Sequence, residues 1–273
     1  MPFEVCSLAE WQAAGIEGTL SLVIPAHNEE EHIADTVQRF ATELRGAGIT
    51  YEIVVVNDNS SDGTERILSA LSAADSGIRY LNNPPPNGFG FAVRCGLAEF
   101  RGDAVAIVMA DGSDDPTDLV RFYRTLQSGY DCVFGSRFIN GGRVTDYPKF
   151  KLVLNRLANL LIRILFMLRY NDVTNAFKLY RRSAIAGAQP LLSHHFNLTV
   201  ELPLKCIIRG YRYAVLANSW KNRERGISKL RIKEMGSRYL FVILYCWLER
   251  TLSRGDYRDQ ELHGEHRLQV WHH

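Results

Sequence analysis

Three carboxylates crowd the end of an apolar run. Residues 105–116 read V-A-I-V-M-A-D-G-S-D-D-P, so Asp111, Asp114 and Asp115 follow directly on Val105–Ala110. Acids this close repel one another unless something positive sits between them. A hard divalent cation bridging a diphosphate would meet that need. Mg²⁺ or Mn²⁺ takes one or two protein carboxylates and completes its shell with phosphate oxygens and water. The same residues also spell a plain strand-to-helix turn, with Gly112 as turn-former, Asp115 as N-cap, Pro116 opening the helix and the other acids solvated. This stretch alone supports both readings.

The elements around it narrow the choice. An apolar run rich in valine and isoleucine, without helical spacing, reads as a buried strand. Upstream, L-S-L-V-I-P (20–25) reads as another strand, followed by A-H-N-E-E-E-H-I, with Asn28 as N-cap and Glu29–Glu31 in the first helical turn. Ile33, Val37, Phe40 and Leu44 fall on one helix face, and Gly46 and Gly48 end it. A strand at 52–57 leads into D-N-S-S-D-G-T and a helix to about Leu71. A strand near 78–81 precedes N-N-P-P-P-N-G-F-G-F-A and a helix over about 93–100. After the acidic motif come a helix (118–126), a strand (131–134) and G-S-R-F. This alternation predicts an α/β domain with a mostly parallel sheet over residues 20–137 and helices on both faces. Ligands in such folds bind beyond the carboxyl ends of the strands. Residues 25–29, 57–59, 111–115 and 135–137 all fall on that edge.

Other motifs are weaker. Asp62-Gly63-Thr64 reads first as turn and capping chemistry. Gly88-Phe89-Gly90 is half of a dinucleotide fingerprint, with Arg94 near the place of the third glycine and no strand leading directly in, and no phosphate-loop G-x-x-x-x-G-K-[ST] occurs. The chain has 273 residues, 46% hydrophobic and 23% charged, with a net charge of +2, so nothing global attracts nucleic acid. Five cysteines without a C-x-x-C pair read as thiols in a reducing compartment. The N-terminus carries no secretory pattern, and no apolar run reaches the roughly 18 residues of a spanning helix, so a cytoplasmic protein is expected. His263, His266, His272 and His273 read as part of a loose polar tail.

P-A-H-N-E-E-E-H-I, V-V-V-N-D-N-S-S-D-G-T, N-G-F-G-F-A-V-R-C-G-L, V-M-A-D-G-S-D-D-P and V-F-G-S-R-F occur in one order at one spacing. With D-V-T-N-A-F-K-L-Y-R-R (172–182), F-N-L-T-V-E-L-P-L-K (196–205) and R-E-R-G-I-S-K-L (223–230), the set resembles the family 2 glycosyltransferases over roughly residues 19–235. The resemblance is to their dolichyl-phosphate mannose synthase-like branch. It implies a GT-A fold of Rossmann-like character, a UDP- or GDP-sugar donor, Mg²⁺ or Mn²⁺, and inversion by direct displacement onto a polyprenyl phosphate. Carried over by position, Pro25, His27 and Glu29 would lie by the nucleotide, with backbone contacts at Ala26 and Val56. Asn57 would belong to the same site, and Asp58 would meet base or ribose. The segment from Asp111 through Gly112 to Asp114 would hold metal and diphosphate. Arg137 would approach the acceptor phosphate and Lys229 would close near the phosphates. The sequence departs from the family where His27 replaces a tyrosine and Asn57 a second aspartate, and where the two acids of D-A-D fall on Ala110 and Gly112. The metal roles of Asp111 and Asp114 therefore rest on chemistry.

Each assignment has a rival. Arg137 could serve a salt bridge, and Lys229 lies in a simply basic stretch. A hydroxyl acceptor would want a base, for which Asp115 is the candidate. A weakened homologue that only binds nucleotide or partner proteins fits the lost D-A-D. A sugar nucleotidyltransferase would want a glycine-rich N-terminal loop followed by a basic residue, which is missing. Residues 149–170 carry five basic residues and no acid, with Asn155, Arg156, Asn159 and Arg163 in a polar stripe. That pattern reads as a helix in a membrane interface or as a core helix with a solvated stripe. R-Y-L-F-V-I-L-Y-C-W-L-E-R (238–250) is a second amphipathic candidate. The expected organisation is a catalytic domain over 1–235, including the interfacial helix, and a C-terminal amphipathic helix with polar tail over 236–273. The protein would sit peripherally on the inner face of the cell membrane, with a homo-oligomer possible.

Overall fold

The computed structural model describes residues 16–221 and 232–257. Its centre is β1 (Ile16–Ala26), where Leu20, Leu22, Val23 and Ile24 are wholly buried. Burying each such side chain contributes about 1.5–3 kcal/mol, which is why the near-continuous apolar strands sit innermost. β2 (Thr50–Asn57) and β4 (Gly102–Ile107) flank β1 in parallel, and β3 (Ile78–Asn82) extends β2. Beyond β4 lie β7 (Lys178–Arg181), β5 (Cys132–Ser136) and β8 (Tyr213–Ala217), giving the order β3-β2-β1-β4-β7-β5-β8. Only β7 runs antiparallel to its neighbours, so the sheet is mostly parallel, as expected. β6 (Arg143–Thr145) and β9 (Ser219–Lys221) form a separate parallel ribbon.

Helices cover both faces. α1 (Ile33–Gly46), α2 (Thr64–Ala74) and α4 (Pro116–Gln127) enclose one core. α3 (Phe89–Glu99), α5 (Lys149–Phe166), the short α6 (Arg182–Gly187), α7 (Leu198–Ile208) and α8 (Ile232–Leu252) enclose the other. Within α8, Val242, Ile243 and Cys246 are buried in this core, and Glu249 forms a two-bond pair with Arg209 (2.8 and 3.1 Å). The boundary expected at 235/236 falls inside α8.

Two local expectations change. The first helix starts at Ile33, not at Asn28, which is left-handed (φ 52°). Asn28 instead accepts from Ser61 N (2.7 Å) while its own N–H donates to Ser60 Oγ (3.0 Å). The β1 loop is thus bonded to the β2 loop, and Glu29–Glu31 lie in the link that precedes the helix. In α5 the polar stripe partly faces inward. Asn159 is buried, and both Asn155 and Asn159 donate to Thr174 Oγ1 (2.7 and 2.9 Å). Phe150, Val153, Leu157, Leu160, Leu161 and Ile164 are exposed instead.

Candidate active site

The carboxyl ends of β1, β2 and β4 bring the expected residues to one edge. Pro25 pairs with Val56 and Ala26 with Asn57, all four buried. Asp58 N donates to Ala26 O (2.7 Å), and the exposed His27 ring places Nδ1 2.7 Å from Asp58 O. Glu29 N donates to Thr64 Oγ1 (2.9 Å). Asn57 spans two loops, donating from Nδ2 to Asn82 Oδ1 (2.8 Å) and accepting from Ser60 N (3.3 Å).

Asp58 is only 6% exposed, and its carboxylate accepts from Asn83 Nδ2 (2.7 Å), Asn87 Nδ2 (3.2 Å) and Gly88 N (2.9 Å). It therefore shapes the N-G-F-G loop from below. That loop packs on residues 194–196 through stacked Phe89–Phe196 (4.1 Å) and Phe91–His194 (4.5 Å). A Cβ on Gly90 would lie 2.3 Å from the His194 carbonyl carbon, so this approach requires glycine. Asn83 and Asn87 escape sequence reasoning, since an asparagine in a Pro-rich loop reads as turn chemistry.

The acidic turn follows β4. Gly112 takes φ +70°, a conformation that favours glycine, and Ser113 N donates to Asp111 Oδ1 (3.2 Å). Asp115 caps α4, accepting from Thr117 N and Thr117 Oγ1 at 2.9 Å each. The capping reading therefore holds for Asp115, which also lines the cavity at the turn. Asp114 is 2% exposed and accepts from Met109 N (3.0 Å). Burial, aided by the nearby Asp111 charge, pushes its carboxyl up to about 7, against the Met109 bond and the Arg137 charge.

Arg137, at the end of β5, is buried and paired with the fully buried Asp172. Nε and Nη2 each donate at 2.8 Å, and Arg137 N adds a third bond (3.0 Å). Burial opposes the guanidinium charge, yet the Asp172 carboxylate holds its pKa above the ordinary arginine value. Beneath Asp172, the buried Lys178 ammonium donates to the carbonyls of Val173, Asn175 and Thr199 and fixes the 172–175 turn. Rings of Phe138, Tyr147 and Trp220 surround Arg137 at 5.3, 5.7 and 6.0 Å.

β9 joins this cluster to the acidic turn. Lys221 N donates to Ser113 O (3.2 Å), and Trp220 forms an antiparallel bridge with Asp114. A cavity of about 620 Å³ opens where the turn, the start of α1 and the β6–β9 ribbon meet. Lys229 lies outside the described residues.

Among the described residues no three histidine, cysteine or acidic side chains converge as a metal cage. Asp111 and Asp114 nonetheless match the donor set of a hard cation that takes two carboxylates and completes its shell from phosphate. The arrangement can therefore manage charge: carboxylates for a cation on one side, a buried guanidinium on the other.

Comparison with known proteins gives the family and the fold. A polyprenol monophosphomannose synthase from Mycolicibacterium smegmatis is 30% identical over 215 residues, covering 77% of this chain and 80% of that protein. A dolichol-phosphate mannosyltransferase from Pyrococcus furiosus is 27% identical over 219 residues, covering 78% of this chain and 60% of that protein, so the chain spans under two thirds of that relative. A crystal structure of glucosyl-3-phosphoglycerate synthase from Mycobacterium tuberculosis, in complex with Mn²⁺, UDP-glucose and phosphoglyceric acid, shares the fold with a TM-score of 0.63 at 19% identity. It covers 90% of this chain and 84% of that one. The model of the family described as glycosyl transferase family 2 matches residues 21–187, and the chain belongs to that family: it is a glycosyltransferase.

Proposed function

We propose that this glycosyltransferase moves a sugar, with inversion, from a UDP- or GDP-sugar to a polyprenyl phosphate at a membrane surface. One observation carries the reading. The Asp111–Asp114 turn and buried Arg137 share one sheet edge, and Asn171, whose amide donates to Phe138 O (3.0 Å), ties that edge to the helix α5 side. A phosphate monoester is already anionic near neutral pH and needs no base to attack the anomeric carbon. As its oxygen bonds to that carbon, the bond to the donor diphosphate breaks and the nucleoside diphosphate leaves, with no proton transferred. The protein's part is electrostatic. Asp111 and Asp114 would hold Mg²⁺ or Mn²⁺, which when bound offsets the charge of the departing diphosphate. Arg137, preset by Asp172, would steady the incoming phosphate, with Lys229 assisting. Pro25, Ala26, His27, Glu29, Val56 and Asn57 would receive the nucleotide, while Asp58 shapes its loop.

The test is turnover and binding across UDP- and GDP-sugars, with Mg²⁺, Mn²⁺ or EDTA, with and without polyprenyl phosphate. Metal-dependent turnover stimulated by the lipid is expected. Turnover onto a saccharide hydroxyl instead would favour the reading with Asp115 as base. Nucleotide binding without turnover, indifferent to metal, would favour a binding protein.

Membrane contact gives a separate prediction. Among the described residues no helix is long and apolar enough to cross a bilayer. The exposed apolar faces of adjacent α5 and α8 (Leu240, Phe241, Leu244, Leu248 and Leu252 in α8), with Lys149, Lys151 and Arg156 beside them, suit an anionic lipid interface. Phe150→Glu with Ile164→Glu should weaken binding to phosphatidylglycerol vesicles by tenfold or more, since each side chain loses about 1.5–3 kcal/mol of burial. Turnover on a short, soluble polyprenyl phosphate should persist. Self-association through this face that vesicles do not compete away would instead assign it to a homo-oligomer.

A further inference from the structure

Lys178 is a buried cation to which the charge scheme above gives no part. Its side chain, on the antiparallel strand β7, is 1% exposed, and burial pulls its pKa from the ordinary lysine value down to about 7. Two charged groups act on it: the Asp172 carboxylate favours the ammonium and the Arg137 guanidinium opposes it. A cation is costly in such a place unless its protons are fully bonded. Here the ammonium protons meet the carbonyls of Val173 (3.0 Å), Asn175 and Thr199 (3.1 Å), one donor for each acceptor.

These acceptors belong to two different parts of the site. Val173 and Asn175 stand in the turn that opens with Asp172, the partner of Arg137. The Asn175 amide donates onward to Gly135 O and Asn218 Oδ1, at 3.0 Å each. Thr199 lies in the first turn of α7, and its hydroxyl donates to Phe196 O (2.7 Å). Pro203, four positions on inside α7, has no N–H to give the Thr199 carbonyl, so Lys178 supplies the donor the helix lacks. The Phe196 ring is stacked on Phe89, the neighbour of Gly88, whose N–H bonds the Asp58 carboxylate. Gly90 N, donating to His194 O (3.1 Å), joins the same two segments again. One ammonium therefore sits where the turn behind Arg137 meets the turn behind the nucleotide loop. An apolar side chain could fill the space, but it would strand these carbonyls.

We infer that Lys178 is a positioning residue for the transfer: its ammonium fixes the 172–175 turn and the start of α7 to one point, and so holds Arg137 and the Asp58 loop in register. This rests on the roles given above to Arg137 and the nucleotide loop. Lys178 itself lies too deep to touch either substrate.

The test compares wild type with Lys178→Met, Lys178→Arg and Phe196→Leu, at saturating Mn²⁺ and below each melting temperature. Lys178→Met should raise KM for polyprenyl phosphate and weaken donor binding, each by about fivefold or more, as the bonds that place the ligating groups are lost. Arginine stays charged at every working pH, so Lys178→Arg should return both constants to within about twofold of wild type at neutral pH. The pH profile separates positioning from mere support of the fold. Wild-type KM for the acceptor should climb as pH rises through about 7, where the ammonium becomes an amine with one donor too few. That of Lys178→Arg should stay level, while ionisation of the acceptor phosphate is common to both. Phe196→Leu, which cuts only the link to the nucleotide loop, should weaken donor binding alone. A Lys178→Met protein with a lowered melting temperature but wild-type constants would overturn the inference, as would a wild-type pH profile that Lys178→Arg reproduces. Either result leaves the transfer reaction in place. Wild type without lipid-stimulated turnover would overturn the reaction itself, and the inference with it. Should Lys178→Met fail to fold, the two pH profiles and Phe196→Leu decide.

Discussion

Asp114→Asn is expected to cut turnover by about a hundredfold or more and yet to stabilise the metal-free protein above neutral pH. Both effects follow from one buried carboxyl. In the proposed mechanism Asp114 helps hold the cation, and losing several kcal/mol of charge stabilisation at the leaving diphosphate corresponds to a rate loss of that size. Without metal, burial beside Asp111 raises the Asp114 carboxyl from 3.8 to about 7. Between those values the folded chain keeps a proton that the unfolded chain has released. Stability from this group is therefore complete below about pH 4 and is lost as pH rises through 7. Asparagine resembles the protonated form and can still accept from Met109 N. With EDTA, the wild-type melting temperature should fall between pH 5 and pH 8 and that of the variant should not. Adding Mn²⁺ at pH 8 should restore the wild type alone, because a ligand that binds only the folded state stabilises it. A variant that keeps the full Mn²⁺-induced shift would remove Asp114 from the metal site.

How much of this was legible beforehand depends on the range of each interaction. β1, β2 and β4 could be read directly, because strands buried on both faces must be apolar throughout and their ends carry the punctuation of proline, asparagine and aspartate. The clustering of residues 25–29, 57–58, 111–115 and 137 on one edge followed from the alternation of strand and helix. β7 was not legible as an antiparallel insertion, since four residues between two longer strands carry no sign of direction. Helix α5 shows a different limit. Its amphipathicity is plain in the sequence, but the side that is covered depends on Thr174, whose hydroxyl meets Asn155 and Asn159 from a separate loop. Asn28 looked like a cap because asparagine caps helices, whereas here its amide serves the neighbouring loop. The resemblance quoted Asp172 within a motif without giving it a task. Its partner stands 35 positions away, and nothing local announces the pair.

That pair yields the other large expected effect. Asp172→Asn should destabilise the fold by about 3–5 kcal/mol, because it leaves the Arg137 charge buried and uncompensated. In a chain of this size the melting temperature should drop by roughly 6–15 °C. The double variant Arg137→Met with Asp172→Asn removes the stranded charge and should recover most of that loss, since replacing a whole buried ion pair is often close to neutral. Turnover should part company with stability at this point. If Arg137 steadies the acceptor phosphate, the refolded double variant stays impaired: KM for polyprenyl phosphate rises, while donor affinity remains near that of the wild type. If Arg137 only braces the end of β5 against the 172–175 turn, the double variant regains activity along with its melting temperature. The aromatic enclosure by Phe138, Tyr147 and Trp220 makes the first outcome the expected one. The ribbon that carries Trp220 also pairs with Asp114, so a phosphate ligand placed at Arg137 is held in fixed relation to the carboxylates that would manage the departing diphosphate.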